Sequence, residues 1–275
     1  MKTLTGKVVL LTGASGGIGL FIARALAKEQ AIVVSVSRSK EGLERTCAEV
    51  ESAGGRGISI PFDISKLEEL PTLVEQIHQL AGSIDILINN AAIEKYRPFQ
   101  NYTLEDTQSI LTTNLMAPIE LTRLVLPSMI EKNSGHIVNI SSLAGKKGAP
   151  YNSIYSASKA GLIMWSDALR QELANTNLGV SVVCPGYTAA GMFIELGISP
   201  SSAGRVAEPT EVANAVLQSI KQNQEEVILD GLGSRLLYAM TQLSPQFGDT
   251  AFQLLGVVER NQSCAEKQMH PGNGV

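Results

Sequence analysis

Short runs of β-branched and other apolar residues alternate along the chain with segments of helical periodicity. Several of the runs are apolar almost throughout, as expected for strands of a parallel sheet that helices cover on both faces. The alternation predicts an α/β fold, a doubly wound parallel sheet of about seven strands with right-handed crossovers. The predicted strands are residues 7–12, 31–36, 58–62, 85–89, 136–141, 180–184 and 227–230. The predicted helices are residues 17–29, 41–53, 67–80, 104–132, 154–175 and 210–222.

The pattern changes near residue 230, so residues 1–230 are predicted to form the α/β domain. Residues 231–260 add apolar positions on either side of a break at Ser244, and they predict a helical extension of two short amphipathic helices. This extension has three possible roles: pocket cover, subunit contact or contact with a membrane surface. Few basic residues flank it, which disfavours the membrane. The polar residues 261–275 predict a disordered tail.

Composition narrows the classes of function. The 275 residues carry a net charge of −4 and no lysine- or arginine-rich stripe, which argues against nucleic acid as a partner. The three cysteines and three histidines are scattered, so neither a disulfide framework nor a metal site is expected. The short segment before the first strand leaves no room for a signal peptide, and no apolar run is long enough to span a bilayer. We therefore expect a soluble, cytoplasmic protein.

A glycine-rich segment, TGASGGIG over residues 12–19, joins the first strand to the first helix. Glycines at 13, 17 and 19 permit a sharp turn and let backbone N–H groups approach a pyrophosphate. The following helix offers its positive N-terminal end to the anion. The spacing is GxxxGxG and not the commoner GxGxxG. A glycine-rich turn without a ligand is the alternative, but a position directly after the first strand favours a dinucleotide site.

The end of the second strand bears on the choice of cofactor. An acidic residue there would bind the ribose 2′-hydroxyl of NAD, whereas this chain has Ser37, Arg38 and Ser39. Arg38 can pair with a phosphate in bidentate fashion, and the two hydroxyls can donate to its oxygens. The sequence therefore predicts NADP(H). The alternative is that Arg38 is a solvated surface residue.

Several polar residues stand at spacings that suggest chemistry. Tyr155 and Lys159 are four residues apart on one face of a predicted helix, which alone is weak evidence. Ser142 follows a predicted strand 13 positions before the tyrosine. The sequence NNAA over residues 89–92 closes the fourth strand, and Asn114 lies midway along the next helix.

Over about residues 5–230 the chain resembles the short-chain dehydrogenase/reductase family, of the type that prefers NADP(H). The TGxxxGIG loop, NNAA, the serine after a strand, YxxxK and a Cys184-Pro185-Gly186 segment occur in the family's order and spacing. The resemblance implies a Rossmann fold and a hydride transfer between NADP(H) and a carbonyl or a primary or secondary alcohol. It assigns the catalytic set to Asn114, Ser142, Tyr155 and Lys159.

The chemistry of these side chains suits those roles. A free phenol has a pKa of about 10, too high for a good base at neutral pH. A neighbouring ammonium group on Lys159 would lower the pKa of Tyr155, which would then act as general acid and base. Ser142 would donate to the substrate oxygen as negative charge develops there. In the family, the lysine also binds the nicotinamide ribose, and Asn114 would hold a backbone kink and a water that connects Lys159 to solvent.

Other cofactor contacts follow from the resemblance. Asp63 matches a position that accepts from the adenine amino group, although it could equally form a helix cap or turn. Asn90 is expected beside the adenine ribose. Thr188 replaces a threonine that many relatives carry four residues after Gly186, where this chain has Ala190. The full set of expected cofactor residues is Gly13, Ser15, Gly16, Gly17, Ile18, Gly19, Ser37, Arg38, Ser39, Asp63, Ile64, Asn90, Ala91, Tyr155, Lys159, Pro185, Gly186 and Thr188.

Residues 187–205 occupy the place where relatives have a mobile lid over the substrate. Apolar residues such as Phe193 and Leu196, with glycines as hinges, predict a lid for a small lipophilic substrate. Packing of these residues on the core is the alternative. Two other functions remain open: an NADP(H)-binding regulatory module without turnover, and an epimerase or dehydratase. The resemblance also implies homodimers or homotetramers formed through helices 104–132 and 154–175.

Overall fold

The computed structural model describes residues 1–196, 198, 205–229 and 231–269. In this part of the chain, seven parallel strands form one sheet in the order β3-β2-β1-β4-β5-β6-β7. The order reverses between β1 and β4, so the loops after these two strands diverge and leave a crevice. The strands are β1 Val8–Thr12, β2 Ile32–Ser37, β3 Arg56–Pro61, β4 Ile86–Asn89, β5 Gly135–Ile140, β6 Leu178–Cys184 and β7 Glu226–Ile228.

Helices cover both faces of the sheet, as predicted. Alternate residues of β1 enter opposite layers: Val9 and Leu11 pack with one set of helices, and Val8 and Leu10 with the other. The helices are α1 Gly17–Lys28, α2 Lys40–Ser52, α3 Leu70–Ala81, α4 Leu104–Leu111, α5 Ala117–Glu131, α6 Ser153–Glu172, α7 Met192–Glu195, α8 Pro209–Gln222, α9 Gly231–Leu243, α10 Pro245–Leu254 and α11 Val257–Met269.

The predicted helix 104–132 is interrupted. Residues Thr112–Met116 form a π-helical turn between α4 and α5, and the N–H of Ala117 bonds to the carbonyl of Thr112. Pro118 has no N–H to donate to the carbonyl of Asn114, so an ordinary α-helical bond cannot form there. The extra residue in this turn directs the fully buried Asn114 into the interior.

The C-terminal extension differs from the prediction in two ways. It contains three helices, α9 to α11, where two were expected. The predicted break at Ser244 is present, since Ser244 is the N-cap of α10. A disordered tail from residue 261 is wrong for 261–269, which belong to α11. Although the sequence is mostly polar, Asn261, Cys264 and Ala265 are buried on one face of α11. Cys264 and Ala265 follow Asn261 by three and four residues, the spacing of one helix face. Residues 270–275 lie outside the described residues.

Long-range hydrogen bonds hold α11 on the domain. The Asn261 side-chain amide donates to the carbonyl of Pro150 at 2.9 Å, and Gln268 accepts from the N–H of Tyr96 at 2.8 Å. Among the described residues, no helix combines the length and apolar character that crossing a membrane would demand.

Candidate active site

A cavity of about 1490 Å³ opens at the carboxyl ends of the strands, beside the reversal in strand order. A typical small-molecule site has roughly 300 to 1000 Å³, so this cavity has room for a dinucleotide and a substrate together. Of the expected cofactor residues, all but Gly19, which lies behind the wall, line the cavity. They are Gly13, Ser15, Gly16, Gly17, Ile18, Ser37, Arg38, Ser39, Asp63, Ile64, Asn90, Ala91, Tyr155, Lys159, Pro185, Gly186 and Thr188.

The glycines of the loop at residues 12–19 are required by close backbone contacts. A Cβ on Gly13, whose φ is 68°, would lie 2.7 Å from the Cα of Ala91. A Cβ on Gly19 would lie 2.2 Å from the carbonyl oxygen of Gly13. Gly16, the N-cap of α1, has no side chain to occupy the first N–H groups of the helix. The loop is therefore a backbone cradle whose shape and free donors fit a pyrophosphate.

Asn90 supports this cradle from below. Its side-chain amide donates to the carbonyls of Thr12 at 3.0 Å and Gly13 at 3.1 Å, where contact with a ribose was expected. The hydroxyl oxygen of Thr12 accepts in turn from the N–H groups of Asn90 and Ala91, each at 3.1 Å. Thr12 was not among the expected site residues, although it directly precedes the first glycine.

Some polar side chains at the ends of β2 and β3 already hydrogen-bond within the protein, and others do not. The Ser37 hydroxyl is buried without a hydrogen-bond partner among the described residues, which suits a site for a polar ligand. Arg38 is exposed on the cavity wall. The Ser39 hydroxyl accepts from the N–H of Gly42 as the cap of α2, and one Asp63 oxygen accepts from Ser65 in a tight turn.

Ser142, Tyr155 and Lys159 come together at the other end of the cavity. Ser142 leads into a short 3₁₀ turn and accepts from the N–H of Ala144 at 3.1 Å, and its hydroxyl is close enough to the Tyr155 phenol to affect its pKa. Lys159 follows Tyr155 by one turn of α6, and its Nζ lies 5.6 Å from the centre of the phenol ring. Tyr155 is 8% exposed and Lys159 is 2% exposed.

The electrostatics of this group differ from the prediction. Burial, together with the charge of Glu94, raises the pKa of Tyr155, while the nearby Ser142 hydroxyl opposes the rise. Burial also lowers the pKa of Lys159 to about 8, and its Nζ donates to the carbonyl of Ile140 at 2.8 Å. The expected lowering of the phenol pKa by Lys159 is therefore absent, because loss of hydration outweighs the attraction of an amine that is directed elsewhere.

Asn114 lies behind the cavity wall. Its side-chain oxygen accepts from the N–H of Ile93 at 2.9 Å. Its amide donates to the carbonyl of Ile93 at 2.8 Å and to the hydroxyl of Ser158 at 3.1 Å. These bonds join the segment after β4 to the helix that carries Tyr155 and Lys159. Asn114 is a positioning residue in this arrangement.

Glu94 and Asn152 are polar cavity residues that the sequence prediction missed. Glu94 lies in the wall near Tyr155 and Lys159, and it accepts from the side-chain amide of Asn152 at 3.1 Å. Glu94 is only partly exposed, and its loss of hydration raises its pKa to about 7, which the positive charge of Lys159 partly opposes. A charged residue so soon after an apolar strand was the available signal for Glu94. Asn152 carried no such signal.

The described part of the lid packs under the C-terminal extension. Phe193 and Leu196 are buried in an apolar cluster with Tyr96 and with Cys264 and Ala265 of α11. The rings of Phe193 and Tyr187 are 5.4 Å apart. Because Phe193 and Leu196 also line the cavity, the two expected roles, lid and core, are combined in the same residues. The predicted hinges at 197 and 204 lie outside the described residues.

The extension also supplies part of the cavity wall. Tyr238 of α9, Phe252 of α10 and Arg260 of α11 line it, with Leu237 and Leu255. Of the three roles considered for residues 231–260, cover of the pocket therefore matches the structure.

Residues 7–199 match the family model described as short chain dehydrogenase. The chain belongs to the short-chain dehydrogenase/reductase family. It is 53% identical over 278 residues to "Ketoacyl reductase HetN" of Nostoc sp., covering 99% of this chain and 97% of that protein. The match extends through the C-terminal helices, so the extension is shared with this relative. The chain is thus an oxidoreductase of a family that uses nicotinamide cofactors.

Two solved structures resemble it closely. A metagenomic short-chain oxidoreductase in complex with NADP is 33% identical, with a TM-score of 0.72, and the match covers 82% of this chain and 96% of that one. NAD⁺-bound xylitol dehydrogenase is 28% identical, with a TM-score of 0.75 and coverage of 82% and 98%. The fold is therefore shared with enzymes that hold either dinucleotide.

Proposed function

We propose that the protein transfers a hydride between NADP(H) and the carbonyl or alcohol carbon of a small, lipophilic substrate, with Tyr155 as general acid and base. One observation carries this proposal: Ser142, Tyr155 and Lys159 line the same cavity as the glycine cradle. A substrate oxygen at the Ser142 and Tyr155 hydroxyls and a dinucleotide on the cradle would share one continuous space.

The residues have distinct tasks in the reduction. The bound nicotinamide supplies the hydride. Ser142 donates a hydrogen bond to the carbonyl oxygen and stabilises the charge that develops there. Tyr155 then gives its proton to the same oxygen. Lys159 has a pKa of about 8, so it can exchange a proton near neutral pH and replenish the phenol.

The preference for NADP(H) rests on the end of β2. Arg38 is an exposed cation on the cavity wall and has no ion-pair partner among the described residues, and the Ser37 hydroxyl beside it is unpartnered. A 2′-phosphate would satisfy both groups. No acidic side chain follows β2 at Ser37 to Ser39 to bind a free 2′-hydroxyl.

The substrate class is suggested by the apolar side chains that line the cavity. Phe193, Leu196, Phe252 and Leu255 form this apolar part of the wall. The relative named as a ketoacyl reductase shares more than half of its residues with this chain. We therefore favour a 3-oxoacyl compound as the carbonyl substrate.

We also propose that the chain forms homodimers or homotetramers through the helices at 104–131 and α6. Large apolar side chains are exposed on these helices: Leu104 at 73%, Met116 at 48% and Met164 at 67%. A face of this kind is usually covered in an assembly.

The Tyr155→Phe variant tests the mechanism. It removes the hydroxyl and keeps the ring, so we expect kcat for ethyl 3-oxohexanoate and NADPH to fall about a thousandfold, as the loss of a general acid typically does. Binding of NADPH, measured by fluorescence titration, should stay within about threefold.

Tyr151→Phe is the matched control, because Tyr151 precedes the same helix and does not line the cavity. Its turnover should resemble that of the wild type. Normal turnover by Tyr155→Phe would refute the proposed role of Tyr155. If the wild-type protein bound NADPH but reduced no carbonyl compound, the regulatory-module alternative would be favoured.

A further inference from the structure

Glu94 and Asn152 form a hydrogen-bonded polar pair in the cavity wall, which also contains the apolar side chains of the lid. Asn152 is the N-cap residue of α6, yet its side chain makes no capping bond and donates to the Glu94 carboxylate instead. An asparagine at this position normally caps the helix. Its diversion toward the cavity means that the pair is formed at the expense of a cap.

The backbone on both sides of the pair is fixed. Tyr151, directly before Asn152, has a φ of 60°, a left-handed conformation that side chains other than glycine rarely adopt. Its carbonyl accepts from the N–H of Arg97 at 2.7 Å. On the other side, Asn114 holds Ile93, the residue before Glu94, by both backbone groups. The two segments therefore present Glu94 and Asn152 at fixed positions.

The pair has unused capacity to accept hydrogen bonds. The Asn152 side-chain oxygen is buried and has no partner among the described residues. Glu94 makes no salt bridge with any described residue. The positive charge of Lys159 lowers its pKa, but the Lys159 amine donates its hydrogen bond to the carbonyl of Ile140. Buried acceptors without donors are uncommon, and a ligand that supplies a donor would satisfy them.

We propose that Glu94 and Asn152 are an acceptor subsite that binds a hydroxyl or N–H group of the substrate near its reacting carbonyl and disfavours carboxylate substrates. This inference rests on the proposed carbonyl reduction, and it adds the chemical character of the substrate. The subsite lines the same cavity as Tyr155, so a donor on the chain that carries the reacting carbonyl can meet it. A negative charge at that place would be repelled by Glu94 and would gain nothing from the Asn152 oxygen.

Three compounds with one skeleton test the subsite by turnover. N-ethyl-3-oxohexanamide carries a donor, ethyl 3-oxohexanoate carries none, and 3-oxohexanoate is an anion. At pH 8 the wild-type protein should rank them in that order by kcat/KM. Glu94→Gln keeps the bond from Asn152 and removes the charge, so the acid should gain about tenfold relative to the ester. Glu94→Ala should lower the amide-to-ester ratio about tenfold.

Glu105→Gln is the matched control. Glu105 is another carboxylate on the cavity wall and has no hydrogen bond to Glu94 or Asn152, so its variant should leave both ratios within about twofold of the wild type. A residue with a merely structural role would change all three substrates alike. Ratios that are the same in Glu94→Gln, Glu94→Ala and the wild type would overturn the subsite.

A binding measurement separates this inference from the proposed reaction. N-ethylhexanamide and hexanoate lack the ketone, and calorimetry measures their affinity without turnover. Hexanoate should bind about tenfold more tightly to Glu94→Gln than to the wild type. If that holds while no ketone is reduced, the subsite stands and the reaction fails. If the ester is reduced but neither the ratios nor hexanoate binding respond to the variant, the reaction stands and the subsite fails.

Discussion

At the scale of single residues, the side chains at the end of β2 differ in whether the protein already satisfies them. Ser39 caps α2, and Asp63 closes a turn with Ser65. Ser37 and Arg38 have no such engagement in the described part of the chain. Groups that the fold leaves unsatisfied at the edge of a cavity are available to a ligand, which is why cofactor preference is argued from these two residues.

Arg38→Asp should reverse the cofactor preference. An aspartate would repel the 2′-phosphate and could accept from a ribose hydroxyl, so we expect kcat/KM for NADPH to fall about a hundredfold and that for NADH to hold or rise. Arg56→Asp makes the same charge change on an exposed arginine of β3 that does not line the cavity. An unchanged NADPH-to-NADH ratio in Arg38→Asp would remove Arg38 from the site.

At the scale of elements, β5 carries a buried histidine whose protonation is coupled to folding. The His136 ring is bonded through Nε2 to the Ser181 hydroxyl on β6 at 2.8 Å. Ser181 gives its own proton to the carbonyl of Gln224, so Nε2 is the donor to the Ser181 hydroxyl. Burial lowers the pKa of His136 from 6.5 to about 4.

Stability should therefore fall in acid. The unfolded chain binds the proton of His136 at a higher pH than the folded chain, so this contribution is complete above pH 6.5 and is lost as the pH falls toward 4. The pKa difference corresponds to about 3 kcal/mol of unfolding free energy. Urea titrations between pH 7 and pH 4 measure it.

The exposed His78 on α3 provides the comparison. His78→Gln should follow the wild-type pH dependence, whereas His136→Gln should show a smaller loss over the same range. Equal slopes for the wild type and His136→Gln would mean that the acid sensitivity arises elsewhere.

At the scale of the whole molecule, the chain closes its own cavity. Residues from α9, α10 and α11 line part of the cavity, and α11 packs on the lid through Cys264 and Ala265. Among the described residues, the two main cores of the sheet contain no residue of these helices, and only Tyr238 of α9 packs on a smaller cluster beside β6. The cover should therefore be separable from the cofactor site.

Ala265→Lys tests this separation. A lysine at a fully buried position in the apolar cluster should detach α11, raising the KM for ethyl 3-oxohexanoate about tenfold while NADPH affinity stays within about twofold. Hydrogen exchange should show faster exchange in residues 257–269. Glu266→Lys introduces a lysine at the next position, which is exposed. It should leave the KM and the hydrogen exchange of residues 257–269 unchanged. A parallel loss of NADPH affinity in Ala265→Lys would contradict a separable cover.

The alternation of strands and helices, the glycine loop and the spacing of Ser142, Tyr155 and Lys159 could all be predicted from the amino-acid sequence. These are local properties, since periodicity, glycine positions and one turn of helix act over a few residues. The handedness of parallel crossovers then places the loops at one edge of the sheet. The predicted sheet and C-terminal helical extension are confirmed for this reason.

The electrostatics of the site and the helices that cover the cavity depend on how distant segments pack together. The direction of the Tyr155 pKa depends on how much hydration the phenol loses, which no spacing reveals. Glu94 and Asn152 meet across 58 residues of sequence. The 261–269 segment has a polar sequence because few of its residues, on one narrow face, are buried. It forms a helix because that face packs against Tyr96 and the lid. Burial and contact between distant segments are properties of the assembled chain.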